Sequence, residues 1–376
     1  MKICVTGLRG IPGVMGGVET HCEELLPRIA ATLVDTEIEV CCRAPYVDPA
    51  MTSFRGVALK ALYCPTGRSS EAIISTLFSI LYARTHGATA IHIHAVGPGL
   101  LAPLARLLGL KVLLTHHGAD YEREKWGRGA KWMLRMGEKL GVQFANTVVC
   151  VSPSLTARMK ERYPGRAEHV DFIPNGVSAL PPCPQPDDVL LAEMGLQPGN
   201  YLCCVARLVP EKGIHYLIEA HARSGDPRTL VIAGAAKKSD RYAQKLAQMA
   251  GANVRFLGMV PRAQLGVLLR NASLFVLPSF HEGLPIAALE ALASNCPVLL
   301  SDIQPNLDLG LPADCYFPVG DVGVLATRLS RRDSPRRAEL PVEALMDWDE
   351  VAQRTAVRYR EILSRSHQDS ALKPAR

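Results

Sequence analysis

The sequence predicts an α/β protein built as two doubly wound domains, each a parallel sheet covered by helices, facing each other across a cleft. Three observations carry this prediction. Strand-like and helix-like patterns alternate along most of the chain, as parallel sheets joined by helical crossovers require. A breaker-rich stretch, Pro174 to Pro186, splits the alternation into two runs, because its prolines continue neither a helix nor a central strand. The length, 376 residues, suits about two domains at roughly 150 residues each.

In the first run, Ile3 to Thr6 reads as a buried strand followed by a glycine-rich loop. A helix is expected from about Val18 to Thr32, kinked at Pro27. Ile38–Cys42, Ala90–His94, Val112–Thr115 and Thr147–Val151 read as further strands. In the second run, Tyr201–Ala206, Thr229–Ala233, Val254–Leu257, Leu274–Leu277 and Pro297–Ser301 are strands. Ile214–His221, Arg241–Met249, Leu265–Leu269 and Pro285–Ala293 are helical. The expected domains are 1–183 and 184–345, then a helix within 346–366 packing back on the first domain, and a frayed tail, 367–376. Open α/β sheets bind ligands beyond the C-terminal ends of their strands, so the site is expected at the cleft.

Composition excludes several classes. With 48% apolar and 21% charged residues the chain is no disordered polymer. A net charge of +6 fits attraction to phosphate or anionic lipid, but it is too small and dispersed to indicate a nucleic-acid partner. Eleven cysteines without a CxxC read as buried, reduced thiols of a cytoplasmic protein. Met1-Lys2 runs straight into a strand, so no signal peptide is expected. The apolar stretch 72–83 is too short to span a bilayer, and 95–114 is broken by Pro98, Pro103, Arg106 and Lys111.

Three segments carry candidate chemistry. The loop Gly7-Leu8-Arg9-Gly10-Ile11-Pro12-Gly13-Val14-Met15-Gly16-Gly17-Val18-Glu19 lies between a strand and a helix. Its glycines permit close backbone approach and the helix start offers N–H groups to an anion, although the spacing is not that of a dinucleotide fingerprint. Arg207 and Lys212 follow the strand Tyr201–Ala206, and two cations at a parallel strand's C-terminal end suit a diphosphate. Glu282 precedes a helix whose first turn is expected to hold Pro285, and Glu290 lies on that helix among Ala and Leu. An acid on an apolar face is costly unless paired, so Glu290 is placed to accept from a diol such as ribose, and Glu282 from a sugar hydroxyl. The helix start adds N–H donors for phosphate.

Other features are weighed as lesser ones. His92 and His94 share one strand face, and a zinc site with His116 and His117 is imaginable. No Asp, Glu or Cys completes a ligand set, so structural or cleft-lining roles are expected. Tyr121 to Leu140 holds six Lys/Arg and two Trp, the composition of a basic amphipathic helix that could touch anionic membrane or a lipid-phosphate acceptor, but a solvated face is the simpler account. Arg331, Arg332, Arg336 and Arg337 read as surface charge.

Glu282-Gly283-Leu284-Pro285 through Leu289-Glu290-Ala291 resembles the signature of family 4 retaining glycosyltransferases of GT-B fold. Arg207-Leu208-Val209-Pro210-Glu211-Lys212-Gly213 resembles that family's diphosphate-binding pair, and Gly16-Gly17-Val18-Glu19 its N-terminal glycine loop. The similarity spans Ile3 to about Tyr359. Gly7-Leu8-Arg9-Gly10-Ile11-Pro12, His116-His117-Gly118-Ala119-Asp120-Tyr121 and Glu124-Lys125-Trp126-Gly127 resemble a rhamnosyltransferase-like subgroup of bacterial surface-polysaccharide synthesis.

This resemblance implies a donor that is a nucleotide-diphosphate sugar, with no cofactor besides that co-substrate, and a lipid-linked or oligosaccharide acceptor, for lipopolysaccharide, capsule or exopolysaccharide. Arg207 and Lys212 would bind the diphosphate, Glu290 the ribose and Glu282 the donor sugar, with Gly283 and Leu284 beside it. Gly16 and Gly17 would approach phosphate or sugar. His117, rather than His116, would touch the transferred sugar near the anomeric centre. The resemblance further implies retention by same-face attack, the leaving phosphate helping to deprotonate the acceptor. The only Asp-x-Asp, Asp347-Trp348-Asp349, opens the last helix, so no metal is expected. An enzyme at the inner face of the cytoplasmic membrane follows. A sugar-nucleotide epimerase, a phosphorylase or a non-catalytic nucleotide-binding scaffold are the alternatives.

Overall fold

The computed structural model describes residues 1–66, 71–124, 126–236, 240–330 and 346–371, with side chains to Ser364. The basic cluster at 331–337 and Lys125 lie outside the described residues. The chain forms two compact units, 1–176 with 346–376, and 177–345.

Unit 1 is an eight-stranded sheet. Its strands are β1 (Lys2–Thr6), β2 (Glu37–Arg43), β3 (Ser53–Phe54), β4 (Val57–Leu62), β5 (Ala90–His94), β6 (Lys111–His116), β7 (Thr147–Cys150) and β8 (Val170–Phe172). Their order is β3-β4-β2-β1-β5-β6-β7-β8, parallel except for the short β3 on β4. Side chains alternate across the sheet. Ile3, Val5, Ile38 and Val40 face a core completed by the helices Gly17–Thr32 and Trp348–Ala371. Cys4, Cys41, Ile91 and Ile93 face the opposite core. The closing helix supplies Trp348, Val351, Tyr359, Ile362 and Leu363 to the first core, so unit 1 is built from both ends of the sequence.

Unit 2 is a six-stranded parallel sheet. It comprises β9 (Tyr201–Val205), β10 (Thr229–Ala233), β11 (Val254–Gly258), β12 (Leu274–Leu277), β13 (Val298–Ser301) and β14 (Tyr316–Phe317), in the order β11-β10-β9-β12-β13-β14. Its four inner strands, β9, β10, β12 and β13, are mostly Val, Ile, Leu and Cys and almost wholly buried, as cover on both faces requires, whereas the edge strands β11 and β14 are partly exposed.

Several expectations are corrected. The units meet at 176/177, not 183/184. Gly176 lies so close under Trp348 that a Cβ there would come within 2.5 Å of the indole, which ties it to unit 1, whereas Leu180 packs on Gly266 of unit 2. Pro285 is the N-cap of the helix Ile286–Ala293, not part of its first turn. The expected strands omit β3, β4, β8 and β14. The closing helix continues to Ala371, beyond 366. All eleven cysteines are free, and all but Cys183 are buried.

Candidate active site

Each sheet has one place where the chain, having wound outward on one side, returns to wind outward on the other. There the helices leave for opposite faces and a crevice opens at the strand ends. In unit 1 this point lies between β1 and β5, and in unit 2 between β9 and β12. In both, a glycine with positive φ lets the loop after the first strand cross the end of its neighbour. A Cβ on Gly7 (φ +99°) would sit 2.1 Å from the His94 carbonyl oxygen, and one on Gly213 (φ +65°) 2.1 Å from that of Pro278.

In unit 2 the candidate residues converge at this point. The loop after β9 carries Arg207 and Lys212, and the loop after β12 carries Glu282. The Phe280 N–H donates to the Glu211 carbonyl at 2.9 Å, pinning the two loops together. The Lys212 ammonium donates to Glu282 Oε1 at 2.5 Å, with both side chains largely buried. Burial works to raise the Glu282 pKa, but the charge and hydrogen bond of Lys212 outweigh it and hold the carboxyl below its ordinary value. An ammonium has three donors, so this pairing aims Lys212 without exhausting it. Gly283 is half-buried and Leu284 buried, between Glu282 and the helix.

Glu290 is buried on the helix Ile286–Ala293 and accepts from Arg262 Nη1 at 2.8 Å. Arg262 begins the helix Arg262–Asn271 and is absent from the sequence-derived site. The sequence signalled only that a buried acid needs a partner, not which one.

In unit 1, Glu19 organises the glycine loop. Its Oε1 accepts from the Arg9 backbone N–H at 3.1 Å and from Arg9 Nε at 2.9 Å. A Cβ on Gly16 would meet Glu19 Oε2 at 2.0 Å, so this glycine makes room for the ion pair, while Gly17 faces open space.

The histidines separate into distinct roles. His92 is fully buried and saturated, with Nδ1 on Tyr359 Oη and Nε2 on Thr115 Oγ1, both 2.7 Å. His116 is equally buried, Nε2 on Glu138 Oε2 at 3.1 Å, its Nδ1 accepting from the Gly118 N–H at 3.2 Å. His117, just past β6, is half-buried, and its Nε2 meets His94 Nδ1 at 2.9 Å. His21, on the helix Gly17–Thr32, packs edge-on to His117 at 4.8 Å between ring centroids and edge-on to Trp348 at 5.5 Å. Burial lowers His21 to about 4 against the opposing hydrogen bond to Asn175 Oδ1, and lowers His92 to about 3. Burial, followed by neighbouring imidazoles, drives His94 and His117 well below the ordinary value. These rings are uncharged at neutral pH.

Glu138 is a further centre that sequence reading missed. It is buried on the helix Arg128–Phe144 and accepts from Tyr121 Oη (2.9 Å), Arg162 Nη1 (2.9 Å) and Tyr163 Oη (3.0 Å) besides His116. The guanidiniums of Arg135, Arg158 and Arg162 lie 5.4–5.9 Å from the Tyr121 ring centroid. The same helix exposes Arg128, Trp132, Arg135 and Lys139 at one-turn spacing.

Comparison with known proteins fits this architecture. Residues 15–179 match the family model described as Glycosyltransferase Family 4, and residues 195–315 the one described as Glycosyl transferases group 1. The chain is 29% identical over 405 residues to an alpha-maltose-1-phosphate synthase of Mycolicibacterium smegmatis, covering 96% of this chain and all of the relative. It is 24% identical to a UDP-Gal:alpha-D-GlcNAc-diphosphoundecaprenol alpha-1,3-galactosyltransferase of Escherichia coli, covering 68% of this chain and 70% of that one. Among solved structures, a sucrose-phosphate synthase of Thermosynechococcus elongatus superposes with a TM-score of 0.77 at 19% identity, over 96% of this chain and 99% of that one. Anabaena HepE in complex with UDP and glucose gives 0.70 at 19%, over 99% and 98%. The chain is a glycosyltransferase of GT-B fold. The two family models together support its place in family 4.

Proposed function

We propose that this glycosyltransferase takes a sugar from a nucleoside-diphosphate donor and moves it, with retention of configuration, to a lipid-linked or oligosaccharide acceptor in bacterial surface-polysaccharide synthesis. The observation that carries the reading is the pinned pair of loops in unit 2, which brings Lys212 and Glu282 to 2.5 Å at the sheet's switch point. Glycosyl transfer from such a donor builds oxocarbenium character on the sugar and charge on a departing diphosphate. Preorganised cations lower that barrier most. Arg207 and Lys212 take the diphosphate and do the electrostatic work otherwise given to a metal. Glu290, oriented by Arg262, accepts from the ribose hydroxyls. Glu282 meets the donor sugar, with Gly283 and Leu284 lining its approach. His117, uncharged, hydrogen-bonds the sugar near the anomeric carbon, and Gly16 and Gly17 leave room beside it. No carboxylate is assigned as nucleophile. The leaving phosphate receives the acceptor proton on the face it vacates.

The printed name of the Escherichia coli relative, which pairs a UDP sugar with a diphosphoundecaprenol-linked acceptor, supports the lipid-linked reading. The exposed Arg128, Trp132, Arg135 and Lys139 fit peripheral contact with an anionic lipid surface at the inner face of the cytoplasmic membrane. No described helix is long and apolar enough to cross a membrane. A second reading, a sugar-phosphate acceptor, is favoured by the name of the Mycolicibacterium relative. Incubation with UDP-, GDP- and dTDP-sugars, with a polyprenyl-diphosphate saccharide in one arm and a hexose phosphate in the other, tests both. Nucleotide release that depends on the lipid acceptor, with the product anomer matching the donor in NMR spectra, is expected. Inversion, or release only with hexose phosphate, overturns the primary reading. Donor isomerised without any acceptor would identify an epimerase.

A further inference from the structure

We propose that His21, His94 and His117 form a binding site for one divalent transition cation of the zinc class, built from unit 1 alone. One ring nitrogen from each of the three lies within 4.8 Å of the others, although the residues come from a helix, a strand end and a loop. The sequence grouped His94 and His117 with His92 and His116, which the fold engages elsewhere, and did not point to His21. The fold supplies it from the helix that follows β1.

The hydrogen bonds around the rings are those of a ligand set. His21 Nδ1 is 2.8 Å from Asn175 Oδ1. Donation there leaves a lone pair on Nε2, which is buried and meets no hydrogen-bond partner among the described residues, on a ring only 3% exposed. His94 Nε2 lies 3.6 Å from Cys22 Sγ, and donation there leaves the Nδ1 lone pair directed at His117. Asn175 and Cys22 thus stand where metal-binding histidines keep their orienting outer partners. The 2.9 Å contact of His94 with His117 needs one proton between two nitrogens, and a cation can take its place. Zinc–imidazole bonds of about 2.0–2.1 Å put tetrahedral nitrogens roughly 3.3 Å apart. Reaching that from the present spread takes side-chain shifts of about an ångström or less per ring. His117 is half-buried, which leaves a way in and a fourth position for water. An ion here engages the imidazole assigned above to the donor sugar, so the expected consequence is reversible inhibition of transfer.

The test uses the full chain stripped of metal with a chelator and titrated with Co²⁺. One equivalent should bind with the visible absorption of four-coordinate cobalt, and Zn²⁺ should displace it. His21→Ala should lose that absorption. Asn175→Ala should weaken binding about 10- to 100-fold. His86→Ala, an exposed histidine elsewhere, should change nothing. Absence of saturable uptake, or absorption unchanged in a folded His21→Ala protein, overturns the site. Should His21→Ala not fold, X-ray absorption on the intact zinc-loaded chain decides. Three imidazole nitrogens at about 2.0–2.1 Å are required, and fewer overturn it. Donor binding rests on unit 2 and can fail while cobalt uptake persists, so the two readings fall separately.

Discussion

Both units carry the same strand arrangement around their switch points, and both press a positive-φ glycine against the neighbouring strand end, yet the side chains at the two crevices differ. In unit 2 the side chains are formal charges, Lys212 with Glu282 and Arg262 with Glu290, beside Arg207. In unit 1 the Arg9–Glu19 pair of the glycine loop is accompanied by imidazoles stripped of charge by burial. One topology can therefore carry a crevice built of ion pairs alone or one that adds buried, uncharged imidazoles. The side chains at the strand ends decide which.

The sharpest way to break this comparison is to remove the charge of unit 2. Arg207→Ala with Lys212→Ala should lower kcat/KM for the sugar nucleotide by at least about 10³-fold, since each lost stabiliser of developing charge costs about 10²–10³. A double variant that still transfers at the parental rate, read as nucleotide release, would falsify the diphosphate assignment. Next come the single contacts. Glu290→Ala should raise the KM for donor about 10- to 100-fold, the equivalent of 1.5–3 kcal/mol for a charged hydrogen bond. His117→Ala should lower kcat by a similar factor through the sugar, with nucleoside diphosphate affinity unchanged. Calorimetry with the nucleotide alone separates the two, and equal loss of nucleotide affinity in both variants would erase the distinction between the crevices.

Acid should also tell the units apart. The pKa values of His21 and His92 are lowered on folding, so their contribution is fully present above about pH 6.5 and falls as the unfolded chain takes up protons that the native state refuses. Each costs about 1.4 kcal/mol per pH unit between 6.5 and its native value. Glu282 is lowered too, but as an acid, so its contribution persists until pH drops below the ordinary carboxylate value. Unit 1 should unfold first as pH falls from 6.5 towards 4. All three tryptophans, Trp126, Trp132 and Trp348, belong to unit 1, so their fluorescence should change before hydrogen exchange opens in unit 2. Simultaneous transitions would contradict this. The smallest effect concerns Tyr359→Phe, which removes the hydroxyl bonded to His92 and should cost unit 1 about 1 kcal/mol, seen as a lowered Tm.

The long β-α alternation was legible because it depends on local pattern. Ala90–His94, Thr229–Ala233 and Leu274–Leu277 are the strands expected, residue for residue. What escaped is short or at an edge. Val57–Leu62 reads equally as helix because of its alanines, and Val170–Phe172 is too brief to show a period. In the site, Glu282 and Glu290 stood out as acids in apolar company. Their partners and the meeting of His21 with His94 and His117 depend on tertiary contacts that spacing along the chain does not encode. His92 and His94 share a face, yet Tyr359 and Thr115 engage the first and His117 the second.

The closing helix carries a consequence for biosynthesis. Trp348 lies against His21 and Tyr359 bonds His92, so the imidazole crevice of the first unit is finished by a segment that leaves the ribosome after all of the second unit. The second unit, drawn from one uninterrupted stretch, has its whole sequence available earlier. A nascent chain therefore holds the whole sequence of its second unit before that of its first, and a stop codon near 346 would leave the first lacking part of its interior.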